Sequence, residues 1–399
     1  MSREPHRLRE QFLRHVGQTS PSPLGIEIQR AEGVFLYTPD GRRYLDLVSG
    51  VSVSNVGHSN QEVVLAVCEQ AKKHMHLMVY GEIVQQPQVE HATLLTSNLP
   101  GNLDVVYYVN SGSEANEAAI KLAKRKTGRT EIISCINSYH GSTHGALSLM
   151  SCERFKSSFR PLLPDVRHIR FNSFEDLEQI TERSAAFIIE PVQGEAGVRI
   201  PDDGYLEAVR RRCTITGTIL IFDEIQTGFG RCGKLFAAQR WNVIPDIITL
   251  AKALGGGMPL GAFAASSELM TLWQYNPVLG HITTFGGHPV SCAAALASLK
   301  ILLRESWIED TERKGALYRE RLKAHSAVKE VRQAGLLLAV DLGSMESAEQ
   351  ILPLLLEEGI MSDWFLFDEN SFRIAPPLCI TEEEILHSIS LIIAALDRL

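Results

Sequence analysis

Short apolar runs alternate with amphipathic ones along the middle of the chain. YYVNSG leads into EANEAAIKLAKRK, and EIISCIN, VRHIRF and AAFIIEP follow; YLEAVRRR, TILIFDE, PDIITLAK and LGAFAAS come next, separated by Gly- and Pro-bearing punctuation. β-Branched runs of this length predict strands, and the stretches between them carry a helical period. Strands that alternate with helices need crossover connections, which predicts an α/β domain with a mostly parallel sheet covered on both faces. This organisation extends from about residue 60 to 285. Toward the end, AAALASLKILLRE and KGALYRERLKA read as helices and LLLAVDLG as a strand; TEEEILHSISLIIAALDRL is a closing helix opened by Thr381 and glutamates. These predict a smaller α+β domain. GVFLYTPDGRRYLDLVSG reads as strand, turn and strand around Asp40 and Gly41, and joins the same domain. The expected division is 1–55 as part of the small domain, 56–290 as the large domain and 291–399 as the rest of the small one.

At 399 residues the chain has room for two or three cores. Its hydrophobic fraction of 45% contains no run of the ~20 apolar residues that spans a bilayer. The formal net charge of −8, without a long basic run, argues against nucleic acid as a partner. Seven scattered cysteines, odd in number and without a C-x-x-C pair, argue against a disulfide framework or a structural zinc and predict no metal site. A reducing, cytoplasmic setting fits this usage. The opening MSREPHRLREQFLRHV reads as a lead-in helix, with a short amphipathic transit peptide as the alternative.

The segment ILIFDEIQTGF runs apolar residues directly into Asp223 and Glu224. In an open parallel sheet, ligands sit beyond the carboxyl ends of strands, so Asp223 points toward that crevice. An isolated case would be read as a helix cap, but three other features converge on the same edge. IITLAK delivers Lys252 there, followed by Gly255, Gly256 and Gly257; a lysine ending an apolar strand is costly unless neutral, paired or covalently used. In VNSGSEANEAAIK, Ser111 and Glu114 form a capping-box pair that leaves the N–H groups of Gly112 and Ser113 free at the positive end of a helix, where phosphate binds. Tyr139 and His140 end another strand in a Gly turn, and the tyrosine suits stacking on a flat ring. A carboxylate, an amine, a phosphate cradle and an aromatic together describe a site for pyridoxal 5′-phosphate, whose ring nitrogen needs a carboxylate and whose aldehyde needs a lysine. Gln226, three residues beyond Asp223, reaches toward the ring hydroxyl.

The motifs SGSEANEAAIKLA, EPVQGEAGV, FDEIQTGFGRCGKLFA, TLAKALGGGMPLGA and TTFGGHP, in this order, resemble the class III pyridoxal-phosphate aminotransferases. That group includes ornithine, acetylornithine, 4-aminobutyrate and other ω-amino acid aminotransferases. The resemblance implies fold type I, with Lys252 as the covalent lysine and general acid/base and Asp223 at the pyridine nitrogen. It implies Gln226 near the phenolic oxygen, Tyr139 on the ring beside His140, and Gly112 and Ser113 at the phosphate. Thr284 of a partner subunit would join them, hence a homodimer. Arg373 would grip the carboxylate of a 2-oxo acid, Glu195 would cover that arginine when the donor lacks one, and Glu190 would help to place Gln226 or the ring. The implied reaction is ping-pong transfer from an acetylornithine- or ornithine-like donor to a 2-oxo acid such as 2-oxoglutarate.

Two departures bear on the donor. The turn HGSTHG carries Ser142 where the resemblance expects an arginine for the donor's distal carboxylate. Val51 and the Pro21 to Pro23 segment stand where ornithine enzymes carry tyrosines. β-Amino acids or diamines, with pyruvate as acceptor, are therefore the alternative. A decarboxylase or aminomutase lacks a second catalytic group here, and a non-catalytic subunit would not need both Lys252 and Asp223. GFGRCG, Gly228 to Gly233, satisfies G-x-G-x-x-G, but residues 223–227 separate it from its strand and Asp246 precedes the next strand instead of ending it, which argues against a nicotinamide dehydrogenase.

Overall fold

The computed structural model describes residues 5–399. The lead-in helix covers Pro5–His15, and the first four residues of that expected segment lie outside the described ones. A seven-stranded sheet forms the centre. Its order in space is Val105–Val109, Gly261–Ala265, Ile247–Leu250, Ile219–Asp223, Ser184–Ile189, Glu131–Cys135, Val166–Ile169. All pairings are parallel except those of Gly261–Ala265, which runs against both neighbours. The exception follows from the connection. Only residues 251–260 link that strand to Ile247–Leu250, and this segment holds one short 3₁₀ turn instead of a crossover helix.

Alternate side chains of the parallel strands enter two different cores. Ile132, Ile188, Ile221 and Ile247 pack with Ala118, Ala119 and Leu122 of the helix Gly112–Thr127. Ile133, Ile189, Leu220 and Phe222 pack with Tyr205, Val209 and Cys213 of the helix Tyr205–Thr216. The period of two thus covers both faces, and the polar groups that matter gather at the strand ends.

The N-terminal turn forms as the sequence predicts, with Phe35–Tyr37 antiparallel to Arg43–Asp46. Arg30–Glu32 adds an outer strand, and Ile360–Met361 joins in parallel on the other side, tying the two ends of the chain into one sheet. Glu330–Ala334, Leu337–Asp341 and Ser371–Ile374 form a third, antiparallel sheet, which carries Arg373. The helix Pro289–Arg304 lies against Gln61–Lys73 and Gln86–Thr96, while Glu382–Leu396 opens with the expected capping box between Thr381 and Glu384. Arg231, wholly buried, donates to the carbonyls of Leu336 and Pro376 and to Asn55 Oδ1. It therefore pins the loop after Ile219–Asp223 to both the N-terminal and the C-terminal segments.

Of the two adjacent carboxylates, Glu224 serves the fold. Its side chain turns away from the sheet edge and accepts the N–H groups of Ala237 and Ala238 at 2.5 and 2.7 Å, capping the turn Ala237–Arg240. Burial pushes its pKa up to about 7, against the pull of those two N–H groups. A folded value above the ordinary 4.5 favours the protonated form, so this contribution to stability is complete below pH 4.5 and is lost as the pH rises toward 7. Glu224→Gln should flatten the fall in urea midpoint of the apoprotein across that window, where one differential proton contributes about 1.4 kcal/mol per pH unit. An unchanged slope would contradict the assignment.

Candidate active site

Asp223 ends its strand at 4% exposure. Its Oδ2 accepts a hydrogen bond from Asn116 Nδ2 and one from His140 Nδ1, both at 2.8 Å, and its Oδ1 accepts the N–H of Ile225 at 3.1 Å. Three donors replace the water this carboxylate has lost. Asn116 also donates to the carbonyl of His140, so one amide holds both the aspartate and the turn that carries its second partner. Three polar atoms of this cluster are buried without a partner: Asn116 Oδ1, His140 Nε2 and Gln226 Nε2.

A cavity of about 490 Å³ opens beside Asp223. Lys252, Glu190, Glu195, Gln226, Tyr139, His140, Gly112 and Ser113 all line it. Lys252 follows its strand in a left-handed conformation, φ 51°, a cost of about 1 kcal/mol that a non-glycine residue bears where the surrounding structure fixes it. Burial lowers the pKa of its amine, partly offset by Glu195, Asp223 and Glu190. A larger neutral fraction makes the amine a better nucleophile.

The turn opposite is assembled by close backbone approach. A Cβ on Gly261 would meet the Ser111 carbonyl oxygen at 2.2 Å, and one on Gly141 would meet Ser113 Oγ at 2.0 Å. The 16-residue helix that starts at Gly112 directs its first N–H groups at the cavity. The expected capping box is only half present. Ser111 Oγ accepts the N–H of Glu114 at 3.2 Å, but the Glu114 carboxylate accepts from Asn110, one residue earlier, through the N–H at 2.7 Å and the side chain at 2.8 Å. The carboxylate therefore bridges to the residue just beyond the strand end instead of closing on the cap.

Glu190 joins two loops. Its Oε1 accepts the N–H of Tyr139 at 2.9 Å and its Oε2 that of Gly194 at 3.0 Å. Gln226 lies directly on Gly194, where an added Cβ would meet Gln226 Oε1 at 1.7 Å. Burial pushes Glu190 up to about 7, with His140 pulling it down and Asp223 pushing it further up.

Glu195 forms a bidentate pair with Arg373 at 2.9 and 3.0 Å. Burial works to raise the pKa of Glu195, but the guanidinium prevails and holds it below the ordinary carboxylate value. Arg373, 1% exposed, lies behind Glu195 and off the cavity wall. Asp363 contacts the same guanidinium, with Oδ1 2.9 Å from Nε; burial pushes this carboxyl up to about 6 against the pull of Arg373.

The remaining expected residues stand at the margin. Ser142 is exposed, with Oγ 3.2 Å from the Tyr139 hydroxyl. Val51 adopts φ 63° and lies off the cavity wall, where Val53 stands instead. Thr284 is exposed and does not line the cavity of its own chain, whereas its neighbour Thr283 lies 3.4 Å from Asn110 Nδ2. Sequence reasoning missed Asn116, Asn110, Val53, Asp363 and the wall formed by Ile225, Met258, Pro259 and Leu260. Asn116 had a readable signal: it is the polar residue among Ala115, Ala118 and Ala119 on the buried face of its helix.

These residues fit pyridoxal 5′-phosphate. The helix terminus and glycine-lined turn suit its phosphate, Asp223 its ring nitrogen, the unpartnered Gln226 amide its ring oxygen, and Lys252 its aldehyde.

The chain matches the aminotransferase class-III family over residues 16–396. It is 39% identical to the acetylornithine aminotransferase of Archaeoglobus fulgidus over 377 residues, covering 94% of this chain and 96% of that protein. It is 40% identical to the acetylornithine aminotransferase of Methanopyrus kandleri, covering 91% and 92%. Among solved structures, an (S)-enantioselective ω-transaminase from Thermomicrobium roseum superimposes with a TM-score of 0.93 at 31% identity, covering 100% of this chain and 99% of that one. The ornithine aminotransferase of Toxoplasma gondii, solved with partial occupancy of pyridoxal phosphate, gives a TM-score of 0.91 at 30% identity, covering 99% and 94%. The chain therefore belongs to the class-III aminotransferases, pyridoxal-phosphate-dependent transaminases of fold type I.

Proposed function

We propose that this transaminase takes the ω-amino group of an acetylornithine- or ornithine-like donor and passes it to a 2-oxo acid such as 2-oxoglutarate, in alternating half-reactions at one site. The observation that carries the reading is Glu195. It lines the cavity and covers the buried Arg373 with a bidentate pair. With the pair closed, the wall beside Lys252 suits a donor end that carries no carboxylate. With Glu195 turned aside, Arg373 offers a fork for the carboxylate of the acceptor.

When bound, pyridoxal phosphate supplies an aldehyde that condenses with amines and a ring that withdraws electrons from the neighbouring carbon. Asp223, fixed by Asn116 and His140, keeps a proton on the ring nitrogen. Lys252 would hold the aldehyde and, as a free amine, would be the base that removes a proton from the amine-bearing carbon of the donor and the acid that returns it. Tyr139 would stack on the ring, Gln226 would donate to its oxygen, and Gly112 and Ser113 would hold the phosphate. Glu190 acts through others, fixing Tyr139 and Gly194 and thereby Gln226.

Several observations support the setting. The named relatives are acetylornithine aminotransferases. All seven cysteines are unpaired, which fits a reducing cytoplasm, and no helix among the described residues is long and apolar enough to cross a membrane. Exposed Met75, Met78, Val84 and Phe285 favour a homodimer, and His76 lies 4.8 Å from Phe285, which brings two of these segments together. Thr284, next to Phe285, would then reach the partner's phosphate site.

The neutral Ser142 favours the second reading, a diamine or β-amino donor with pyruvate as acceptor. Mixed with the correct donor and no acceptor, the loaded enzyme should release a stoichiometric amount of carbonyl product and stop until a 2-oxo acid is added. Ser142→Arg separates the donor classes: KM for N-acetylornithine should fall about tenfold, the equivalent of ~1.4 kcal/mol, if its carboxylate lies there. A lower KM for a diamine instead would contradict the first reading. Phe285→Glu should convert the dimer to a monomer in sedimentation and weaken cofactor binding; a variant that stays dimeric and fully loaded would remove the role given to Thr284.

A further inference from the structure

We propose that Asp363 is a positioning residue for Arg373, holding the guanidinium in the attitude that receives a carboxylate after Glu195 has moved aside. The inference rests on the reading of Arg373 and Glu195 given above and adds the residue that makes the exchange workable.

Arg373 is gripped from two sides that differ in kind. On one side Glu195 takes Nη1 and Nη2, the end-on fork, and lies in a loop between Gly194 and Gly197. Apart from Arg373, its carboxylate accepts only the N–H of Leu366, at 3.3 Å. On the other side four consecutive residues surround the arginine. Ser362 Oγ donates to the Arg373 carbonyl at 2.7 Å, and the Arg373 N–H donates to the Asp363 carbonyl at 2.9 Å. Nε donates to Asp363 Oδ1 at 2.9 Å and Nη2 to the Trp364 carbonyl at 3.1 Å. The Phe365 ring lies 4.6 Å from the guanidinium carbon.

This division separates a fixed face from an exchangeable one. The fork is what an incoming carboxylate needs, and Glu195 occupies it with few other ties. The Nε face is held whether or not Glu195 is present. Departure of Glu195 without Asp363 would leave a buried cation with only a carbonyl for an acceptor, free to turn toward whatever oxygen is nearest. With Asp363 in place the cation stays paired and its fork stays aimed. The carboxylate of Asp363 faces Arg373 and, through it, Glu195, and it has no other hydrogen-bond partner in the cluster.

The test compares Asp363→Ala and Asp363→Asn with the parent in the loaded enzyme, measuring the two half-reactions separately. The donor is whichever of N-acetylornithine or a simple diamine the parent accepts, and the acceptor is 2-oxoglutarate. Asp363→Ala should raise the acceptor KM about tenfold, in line with the cost of a misaligned binding group, and leave the donor KM within error. Asp363→Asn, which keeps an oxygen acceptor at Nε, should restore most of the acceptor affinity, and melting curves of both variants establish that they fold. An unchanged acceptor KM in Asp363→Ala, or equal rises for donor and acceptor, would overturn the proposal. A parent that accepts no 2-oxo acid would instead sink the underlying reading of Arg373, and this proposal with it.

Discussion

A carboxylate at the end of a buried strand has to be solvated by protein, and the site is organised around how Asp223 meets that requirement. Asn116 and His140 both donate to Oδ2, and Asn116 also holds the His140 carbonyl. Three separate segments, the first turns of the helix Gly112–Thr127, the Tyr139 turn and the strand Ile219–Asp223, are thereby fixed relative to one another by a few hydrogen bonds. The turn at Gly112 and Ser113 is the start of that same helix, and Tyr139 directly precedes His140. Fixing the aspartate therefore fixes two opposite parts of the cavity wall.

The adjacent carboxylates Asp223 and Glu224 show how strand alternation divides labour. One points into the crevice and the other caps the turn Ala237–Arg240, which steadies the loop that carries Gln226 and Arg231. The single antiparallel strand has a comparable effect. Gly261 lies against the Ser111 carbonyl, so the segment that presents Lys252 returns directly beside the turn at Gly112. A parallel crossover would have carried the chain away from the site.

Much of this was legible in the sequence because the controlling signals are local. Apolar runs ending in Asp223, Lys252 and the Ser111 turn mark strand ends, and ligands of an open parallel sheet gather there. The fold-level alternation and the Thr381 cap were equally direct. What could not be read depends on pairings between distant segments. Ile360–Met361 is too short and too weakly patterned to announce its partner Arg43–Asp46. Asp363 lies in a loop whose contact with Arg373 arises only when that loop folds back along the strand Ser371–Ile374. Glu114 illustrates a smaller miss: the spacing promised a bond to Ser111, but the geometry of the strand end delivered it to Asn110. Asn116 was hidden by its ordinary position in an amphipathic helix, although a polar side chain on an alanine-lined face always has to find a partner.

Lys252 is the one residue on which the proposed chemistry turns. Borohydride reduction of the protein loaded with pyridoxal phosphate, followed by peptide mass mapping, shows whether this lysine carries the cofactor. A pyridoxyl group should appear on the peptide containing Lys252, and none in Lys252→Ala. A label on another lysine, or no label on a fully loaded protein, would contradict the role given to Lys252.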